Sequence, residues 1–436
     1  MKKLTTTIRK GLHGQLHVPG DKSISHRSII FGAISSGATE VSNFLPSDDC
    51  ITTIQAFRDM GVVIERSSDH VRVHGAPNGL KPPRHPLNMG NSGTTTRLLL
   101  GLLSGQHFTT ELFGDASLSR RPMRRVTEPL SQAGARFKVG EKGTLPITVF
   151  GQQNLKTLNY RLPVASAQVK SALILAALQT RGESTIIEKL QTRDHTERML
   201  KAFGGEIYQD GRTIQVMGKP QLIGQNVTVP GDLSSAAFFL TAAALLPGSE
   251  VTLKNVGLNP TRTGFLDVLN RMGASVDVLN EKEQVEPSGD LRVRHSHLKA
   301  IHLSQEDIPS VIDELPLVAL LATQAKGTTL ITGAEELRVK ETDRIAVVAE
   351  ELTKLGARIE ELPDGLIIHG QTALNPQMSD RADTHGDHRI GMMLAVAALL
   401  CDRSLYLENE AAINISYPGF FDDLKQLLCE EGTEER

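Results

Sequence analysis

Two hydrophobic patterns alternate along the chain and divide it into repeats. The first is a helix-like segment that ends at a glycine and is followed by alternating apolar residues, as in FRDMGVVIE (57–65). A glycine just beyond a helix adopts the left-handed conformation that closes the last turn, and period-two apolarity is typical of a half-buried strand. The pattern therefore predicts a helix and then a strand around each of Gly61, Gly134, Gly204, Gly273 and Gly356.

The second pattern is an apolar helix of small residues that leads through a turn into another strand, and it precedes each copy of the first. Segments such as SAQVKSALILAAL (166–178) contain few charges beyond their first turn. A helix that is apolar nearly all round is usually buried. Six buried helices are therefore predicted, beginning at Ser23, Asn91, Ser166, Leu233, Asp313 and Asp387.

Together the patterns predict an α+β fold of six repeats, each a helix–strand–helix–strand unit of about 70 residues. The phrase VPGDKSIS (18–25) recurs as VPGDLSSA (229–236), between the third and fourth repeats. We therefore predict two domains of three repeats, with chain crossovers near Gly20 and Gly231. The alternative is one continuous solenoid.

The composition and charge of the chain argue against several classes of function. The 436 residues are 39% hydrophobic and 22% charged, with a formal net charge of −3 and 4% aromatics. This balance argues against a nucleic-acid or membrane partner. The three cysteines form no CxxC pair, so neither a disulfide framework nor a cysteine-rich zinc site is expected. The basic start lacks an apolar secretion-signal core, and no apolar stretch is long enough to span a bilayer. We expect a cytoplasmic protein.

Polar and cationic residues are concentrated in the first turns of the buried helices. Lys22, Ser23 and Arg27 open the first helix, and Ser166 and Gln168 open the third. Helix N-termini attract anions, whereas cations there oppose the helix dipole. Ordinary capping explains the hydroxyl groups but not the cations. The arrangement therefore predicts a site for a multiply charged anion.

The shorter, amphipathic helices add cations. Lys340 and Arg344 are four residues apart, so we predict that they share one helical face and bind an anion between them. The alternative is a solvated stripe that pairs with its own carboxylates. The other cations of this class are Arg120, Arg121, Arg124, Arg125, Arg193, Arg198 and Arg338.

Familiar catalytic motifs are missing. The GxGxxG, Walker A, HExxH and GxSxG patterns do not occur, which argues against dinucleotide dehydrogenases, P-loop kinases, zincins and α/β-hydrolases. Carboxylates beside cations have lowered pKa values and suit a base, and histidine is the natural donor near neutrality. The acid–base candidates are Asp313, Glu314, Glu341, Asp343, Asp387 and His388.

The motifs also carry a family resemblance. In this order they resemble the 5-enolpyruvylshikimate-3-phosphate synthases, which are enolpyruvyl transferases, and they span nearly the whole chain: PGDKSISHR (19–27), GNSGTTTR (90–97), RRPM (120–123), SAQVKSALILAAL (166–178), PGDLSSAAFF (230–239), VKETDR (339–344) and DHRIGMM (387–393).

The resemblance implies a two-domain inside-out α/β barrel, with three repeats per domain around buried parallel helices. Residues 21–230 would form one domain. Residues 1–20 and 231–436 would form the other, with the active site in the cleft between them.

The reaction implied is transfer of the enolpyruvyl group from phosphoenolpyruvate to the 5-hydroxyl of shikimate 3-phosphate, which releases phosphate. Asp313 would take the hydroxyl proton, and Glu341 would handle the methylene proton with His388 nearby. Lys22 would reach both substrates. No metal or organic cofactor is implied, and we expect a monomer. Shikimate 3-phosphate would contact Lys22, Ser23, Arg27, Ser166, Ala167, Gln168, Arg193, Asp313 and Lys340. Phosphoenolpyruvate would contact Lys22, Gly93, Arg121, Gln168, Arg344 and Arg389.

Some positions depart from the family pattern. Many members have GNAGTAMRP at residues 90–98, where this chain differs at Ser92, Thr95, Thr96 and Leu98. The resemblance therefore does not predict how this chain responds to inhibitors that bind at this loop. Roles known at the positions of Glu336 and Ile415 are not carried over either. A UDP-N-acetylglucosamine enolpyruvyl transferase is the nearest alternative, but its loop cysteine is missing from 115–121. An RNA-terminal phosphate cyclase-like protein and a non-catalytic phosphate-binding regulator are further alternatives.

Overall fold

A computed structural model describes residues 1–6, 11–76, 78–377 and 379–429. The chain forms two compact units. Unit 1 combines Met1–Pro19 with Pro230–Arg436, and unit 2 is the continuous segment Gly20–Val229. In the described ranges, none of the helices combines the length and apolar character that crossing a membrane requires.

The N-terminal segment supplies two strands to unit 1. Strand β1 pairs antiparallel with a strand near the C-terminus, and β2 pairs in parallel with the first long strand after residue 230. These strands are β1 (Lys2–Lys3) and β2 (His13–Leu16).

Unit 2 contains three similar repeats, and its helices alternate between buried and amphipathic. The first repeat has α1 (Lys22–Ile34), β3 (Ala38–Ser42), α2 (Asp48–Asp59), β4 (Val63–Ser67) and β5 (His70–His74). The second has β6 (Leu87–Asn88), α3 (Gly93–Ser104), β7 (Thr109–Phe113), α4 (Arg124–Gln132), β8 (Arg136–Lys138) and β9 (Ile147–Phe150). The third has β10 (Asn159–Arg161), α5 (Ala167–Ala177), β11 (Glu183–Ile187), α6 (His195–Ala202), β12 (Ile207–Asp210) and β13 (Thr213–Met217), and β14 (Asn226–Thr228) follows it.

Unit 1 contains repeats of the same kind. The first has α7 (Leu233–Leu245), β15 (Glu250–Gly257), α8 (Gly264–Met272), β16 (Ser275–Lys282) and β17 (Ser288–Arg294). The second has β18 (His302–Leu303), α9 (Ile308–Val311), α10 (Leu315–Gln324), β19 (Thr328–Ile331), α11 (Arg344–Lys354), β20 (Arg358–Leu362) and β21 (Gly365–His369). The last has β22 (Arg381–Asp383), α12 (His388–Ala398), β23 (Tyr406–Glu408) and α13 (Phe420–Cys429).

Each four-stranded sheet has the same strand order. A parallel edge strand pairs with the strand that follows the buried helix, and two antiparallel strands complete the sheet. Unit 2 has β14-β3-β5-β4, β6-β7-β9-β8 and β10-β11-β13-β12; unit 1 has β2-β15-β17-β16, β18-β19-β21-β20 and the three-stranded β1-β23-β22.

The repeat is therefore richer in strands than predicted. The sequence pattern predicted two strands per repeat. In the structure a further strand forms an antiparallel hairpin with the second one: β5 pairs with β4, and Ile64 lies opposite Val73. HVRVH (70–74) alternates as a strand should. It follows the previous strand after only two residues, and this tight turn hides the boundary.

The helix ends follow the sequence pattern. All five marking glycines have positive φ, between +85° and +95°, so their left-handed closing of the helices is confirmed. The buried helices begin within two residues of the predicted positions. Every residue of α7 is buried, and α1, α3 and α5 each bury a long central run.

Each unit has its own hydrophobic core. In unit 2, α3 and α5 approach so closely that a Cβ at Gly101 would lie 2.0 Å from the carbonyl oxygen of Ala172. This contact fixes the two helices side by side, and their N-termini therefore lie next to each other.

Candidate active site

In unit 2 the N-termini of α1, α2 and α3 are joined by hydrogen bonds. Lys22, the first residue of α1, forms an ion pair with Asp49 at the start of α2, with Nζ and Oδ2 3.1 Å apart. Thr95 in the first turn of α3 lies 2.7 Å from Thr53 of α2, oxygen to oxygen. Three helix ends, with their partly positive N–H groups, therefore share one region.

The N-terminus of α5 joins the same region through side-chain amides and guanidinium groups. Arg97 donates to Oε1 of Gln168 at 2.7 Å, and Gln168 donates to the Thr94 hydroxyl at 2.9 Å. Ser166 caps α5 by accepting a hydrogen bond from the Val169 amide. Ala167 is the first residue of α5.

Gly93 and Arg121 are neighbours although 28 positions separate them. A Cβ at Gly93 would lie 3.2 Å from Nη1 of Arg121 and 2.8 Å from Nη1 of Arg97. Arg121 also donates to Oδ1 of Asn91 at 2.8 Å. The missing side chain at Gly93 thus leaves the start of α3 open beside two guanidinium groups, an arrangement suited to a phosphate or carboxylate.

Arg27 of α1 is buried and forms hydrogen bonds with residues of α5 and α6. Its Nε donates to the Thr196 hydroxyl at 2.7 Å, and its Nη2 donates to the Ser171 hydroxyl at 2.8 Å. Its Nη1 donates to the Ser23 carbonyl. Arg193 lies just before α6, in the loop that follows β11.

In unit 1 one carboxylate lies among three cations. Oδ1 of Asp313 is 3.5 Å from Nζ of Lys340 and 3.5 Å from Nη1 of Arg344, and its Oδ2 is 3.7 Å from Nη2 of Arg389. Asp313 precedes α10, Arg344 begins α11 and Arg389 lies in the first turn of α12. This arrangement favours the ionised carboxylate, the form needed to accept a proton.

Arg344 is the most deeply buried of these cations. Its guanidinium donates to Asp387 from Nε at 2.7 Å and to Oε2 of Glu341 from Nη2 at 2.7 Å. Burial lowers the pKa of Arg344, but Asp387, Glu341 and Asp313 more than offset this and raise it. Burial raises the pKa of Asp387, but the neighbouring charge of Arg344 holds it below its usual range. His388 is the first residue of α12 and is also buried.

One sequence prediction about this cluster was wrong. Lys340 and Arg344 do not share a helical face, because a 3₁₀ helix ends at Val339 and α11 begins at Arg344. Asp343 caps α11 by accepting from the Ala346 amide at 3.1 Å. Both cations still approach Asp313, so it is a carboxylate of the chain that lies between them.

Asp49, the partner of Lys22, was not among the residues predicted from sequence. Asp48 and Asp49 open α2, and acidic residues in a first turn are so common that they gave no signal. A buried polar chain at the start of α3 was not predicted either: contacts of 2.6 to 2.7 Å link Ser92, Thr95, Thr53 and His26.

One cluster in the described residues has the spacing of a metal site, formed by Glu350, Glu351 and His385. The ammonium group of Lys354 lies 2.8 Å from Glu350 and 2.7 Å from Glu351. A lysine already supplies the positive charge there. The cluster includes no predicted site residue.

The similarity of this chain to known proteins covers nearly its whole length. The family model described as EPSP synthase (3-phosphoshikimate 1-carboxyvinyltransferase) matches residues 6–424. A protein of Leuconostoc citreum named 3-phosphoshikimate 1-carboxyvinyltransferase is 53% identical over 431 residues, covering 98% of this chain and 100% of its own length. One of the same name from Enterococcus faecalis is 55% identical over 430 residues, covering 98% and 100%. The solved structure of EPSP synthase from Acinetobacter baumannii has a TM-score of 0.87 and 44% identity, covering 98% of this chain and 97% of its own.

Proposed function

Because the chain belongs to the EPSP synthase family, we propose that the two polar clusters carry out this family's reaction on shikimate 3-phosphate and phosphoenolpyruvate. The chain is a transferase of the shikimate pathway, which leads to aromatic amino acids. It moves the enolpyruvyl group to the 5-hydroxyl of shikimate 3-phosphate and releases phosphate. The UDP-N-acetylglucosamine alternative is not favoured.

The observation that carries the site assignment is the position of Asp313 among three cations. Such neighbours keep the carboxylate charged, and a hydroxyl that approaches it can lose its proton to Oδ1 or Oδ2. We assign Asp313 as the base that takes this proton. Lys340 and Arg389 then remain to bind substrate anions.

The substrate subsites follow the helix ends. The proposed ligands of shikimate 3-phosphate in unit 2 are Lys22, Ser23, Arg27, Ser166, Ala167, Gln168 and Arg193, and those in unit 1 are Asp313 and Lys340. The proposed ligands of phosphoenolpyruvate are Lys22, Gly93, Arg121, Gln168, Arg344 and Arg389. We propose that each unit is one domain of three repeats around its buried helices and that one catalytic cycle uses both. Two substrates with two phosphates and two carboxylates repel each other, so joining them requires many cations.

The chemistry balances without an external reactant. The methylene carbon of phosphoenolpyruvate gains a proton while the hydroxyl oxygen bonds to the adjacent carbon, which gives a tetrahedral phosphate adduct. Loss of phosphate and of one methyl proton then restores the double bond. We assign the methylene proton transfer to Glu341, with His388 nearby. Glu341 shares Arg344 with Asp387, so an anion that draws on Arg344 weakens this pairing and raises the proton affinity of Glu341.

The function is tested by phosphate release from phosphoenolpyruvate with shikimate 3-phosphate, run beside UDP-N-acetylglucosamine as the acceptor. We expect release only with shikimate 3-phosphate. Release only with the sugar nucleotide would contradict the assignment.

The phosphoenolpyruvate subsite is tested by two neighbouring arginines. Arg121→Met removes a guanidinium that lies beside Gly93 and bonds Asn91, so KM for phosphoenolpyruvate should rise by about 10-fold or more. Arg120→Met removes the adjacent, exposed arginine of the same turn and should change KM by less than about twofold. Equal effects of the two substitutions would withdraw Arg121 from the site.

A further inference from the structure

Lys170 is a fully buried cation that the proposed reaction does not use. It lies in the first turn of α5, one turn after the cap Ser166, and its side chain is 0% exposed. Its ammonium nitrogen is 3.0 Å from Oε1 of Glu188 and 2.7 Å from Oε1 of Glu197, and it donates to the Thr192 carbonyl at 3.2 Å. One lysine therefore contacts three residues of a single segment, 188–197.

Segment 188–197 is irregular up to residue 194 and carries Arg193. Glu188 immediately follows β11, and Glu197 lies in the first turn of α6. Glu188 also accepts hydrogen bonds from the backbone amide and the hydroxyl of Thr192. Glu188 thus closes the loop, and Lys170 forms ion pairs with Glu188 and Glu197 at its two ends and donates a hydrogen bond to the carbonyl next to Arg193.

Neighbouring bonds connect the same segment to the rest of the subsite. Ser171, the residue after Lys170, lies 2.6 Å from the Thr196 hydroxyl, oxygen to oxygen. Both hydroxyls accept from Arg27 of α1. The adjacent pair Lys170 and Ser171 therefore fixes segment 188–197 against α5, whose N-terminus carries Ser166, Ala167 and Gln168.

This arrangement is costly for a role in stability alone. An ammonium and two carboxylates leave water, and Oε2 of Glu188 has no hydrogen-bond partner among the described residues. Apolar residues of the same volume often stabilise a protein as well as a buried ion pair does or better. A buried charge network, unlike apolar packing, holds the groups that it contacts in one defined position.

We propose that Lys170 is a positioning residue for the shikimate 3-phosphate subsite, acting by holding Arg193 in place against the N-terminus of α5 without touching the substrate. This proposal rests on the proposed function. It predicts that Lys170 affects the affinity for shikimate 3-phosphate through Arg193 and leaves the affinity for phosphoenolpyruvate nearly unchanged.

The test is a double-mutant cycle on Lys170→Met and Arg193→Ala, with dissociation constants for shikimate 3-phosphate measured by calorimetry. We expect Lys170→Met to weaken binding about 10-fold, as loss of an outer supporting group commonly does. The double variant should bind within about twofold of Arg193→Ala alone, because no guanidinium remains to be positioned. Losses that multiply, or unchanged binding in Lys170→Met, would overturn the proposal.

Kinetics give a second readout. In Lys170→Met, KM for shikimate 3-phosphate should rise about 10-fold while KM for phosphoenolpyruvate changes by less than about threefold. Lys170→Arg keeps the charge and should recover part of the affinity. Equal rises in both KM values would indicate a general structural role and overturn the proposal.

If Lys170→Met does not fold, Glu197→Gln replaces it, because it removes one ion pair and keeps the side-chain shape. Its loss of affinity should also disappear in the Arg193→Ala background, and a loss that persists there would overturn the proposal. Lys201→Met, at an exposed position of α6, is the matched control. Val149→Ala, in the buried core of β9, shows the effect of lower stability alone.

Failure of the inference is distinguishable from failure of the proposed function. A wild-type protein that releases no phosphate with both substrates contradicts the proposed function itself. Normal wild-type turnover with multiplying losses in the cycle contradicts only the role of Lys170.

Discussion

At the scale of single residues, most cations of the two clusters already bond to the chain's own carboxylates or carbonyls. Lys22 pairs with Asp49, and Arg344 pairs with Asp387 and Glu341. Substrate anions must therefore compete with internal partners, so replacing a carboxylate changes binding and turnover in different ways.

Asp313→Asn separates these two effects. The amide cannot accept the hydroxyl proton, so kcat should fall by about 100- to 10,000-fold. Shikimate 3-phosphate should still bind, because the cations around position 313 lose a competitor. Turnover and calorimetric binding measure the two effects, and turnover equal to wild type would remove Asp313 from the mechanism.

The burial of His26 should make the free energy of unfolding depend on pH. Burial lowers its pKa from 6.5 to about 3, so it is neutral in the folded protein. The unfolded chain binds a proton that the folded chain does not, so stability is complete above pH 6.5 and is lost as pH falls below it. The free energy of unfolding falls by at most about 1.4 kcal/mol per pH unit. Urea unfolding at pH 7.5 and 5.0 should show a smaller loss for His26→Gln than for wild type, and equal losses would count against this role.

The residue types of the site could be predicted from sequence, but their partners could not. Cations in the first turns of buried helices oppose the dipole, and this signal made Lys22 and Arg27 candidates for the proposed site. The partner of Lys22 is 27 positions away, and that of Arg344 is 43 positions away. Pairings at such separations depend on how helices pack, which no local pattern encodes.

At the scale of elements, the contact between α3 and α5 determines where the proposed site residues at the N-termini of these two helices lie. Gly93 begins α3 and Gln168 lies in the first turn of α5, and Gly101 lets the two helices approach. The segment LLLGLLS (98–104) carries no local pattern that identifies the helix packed against Gly101.

Gly101→Ala tests this contact. The new methyl group would lie 2.0 Å from the Ala172 carbonyl oxygen, so the helices must separate, and unit 2 should lose about 1–3 kcal/mol or more of unfolding free energy. KM for both substrates should rise, because Gly93 and Gln168 move apart. Gly419→Ala is the matched control, since its methyl group would meet its nearest atom only at 3.8 Å. Equal thermal stability of Gly101→Ala and wild type would contradict the argument.

The pairing of strands was the feature of the fold that could least be predicted from sequence. The helices and the strands after the marking glycines follow from local pattern. The parallel edge strands do not, since β14 pairs with β3 from 186 positions away, Asn226 opposite Glu40. Edge strands of two or three residues also carry too little alternation to be detected.

At the scale of the whole molecule, the chain enters and leaves unit 2 once each, near residues 20 and 229. Unit 2 has its own core, and its three sheets use only strands from within 20–229. The repeated VPGD phrase, at 18–21 and 229–232, lies at both of these positions. The recruitment of β1 and β2 into unit 1 came only from the family resemblance.

A fragment of residues 20–229 should fold alone. Every strand of its sheets keeps its partners, so we expect cooperative thermal unfolding and protected backbone amides in hydrogen exchange. A fragment of residues 230–436 lacks β1 and β2, which complete two sheets, and should be less stable. An unfolded 20–229 fragment would show that unit 2 depends on the rest of the chain.

The parallel pairing of β2 with β15 has a consequence for biosynthesis. His13 lies opposite Glu250, so the ribosome makes the first strand of this pair more than two hundred residues before its partner. Unit 2 is complete by then and can fold while translation continues. The nascent β2 strand therefore lacks its partner strand throughout that interval.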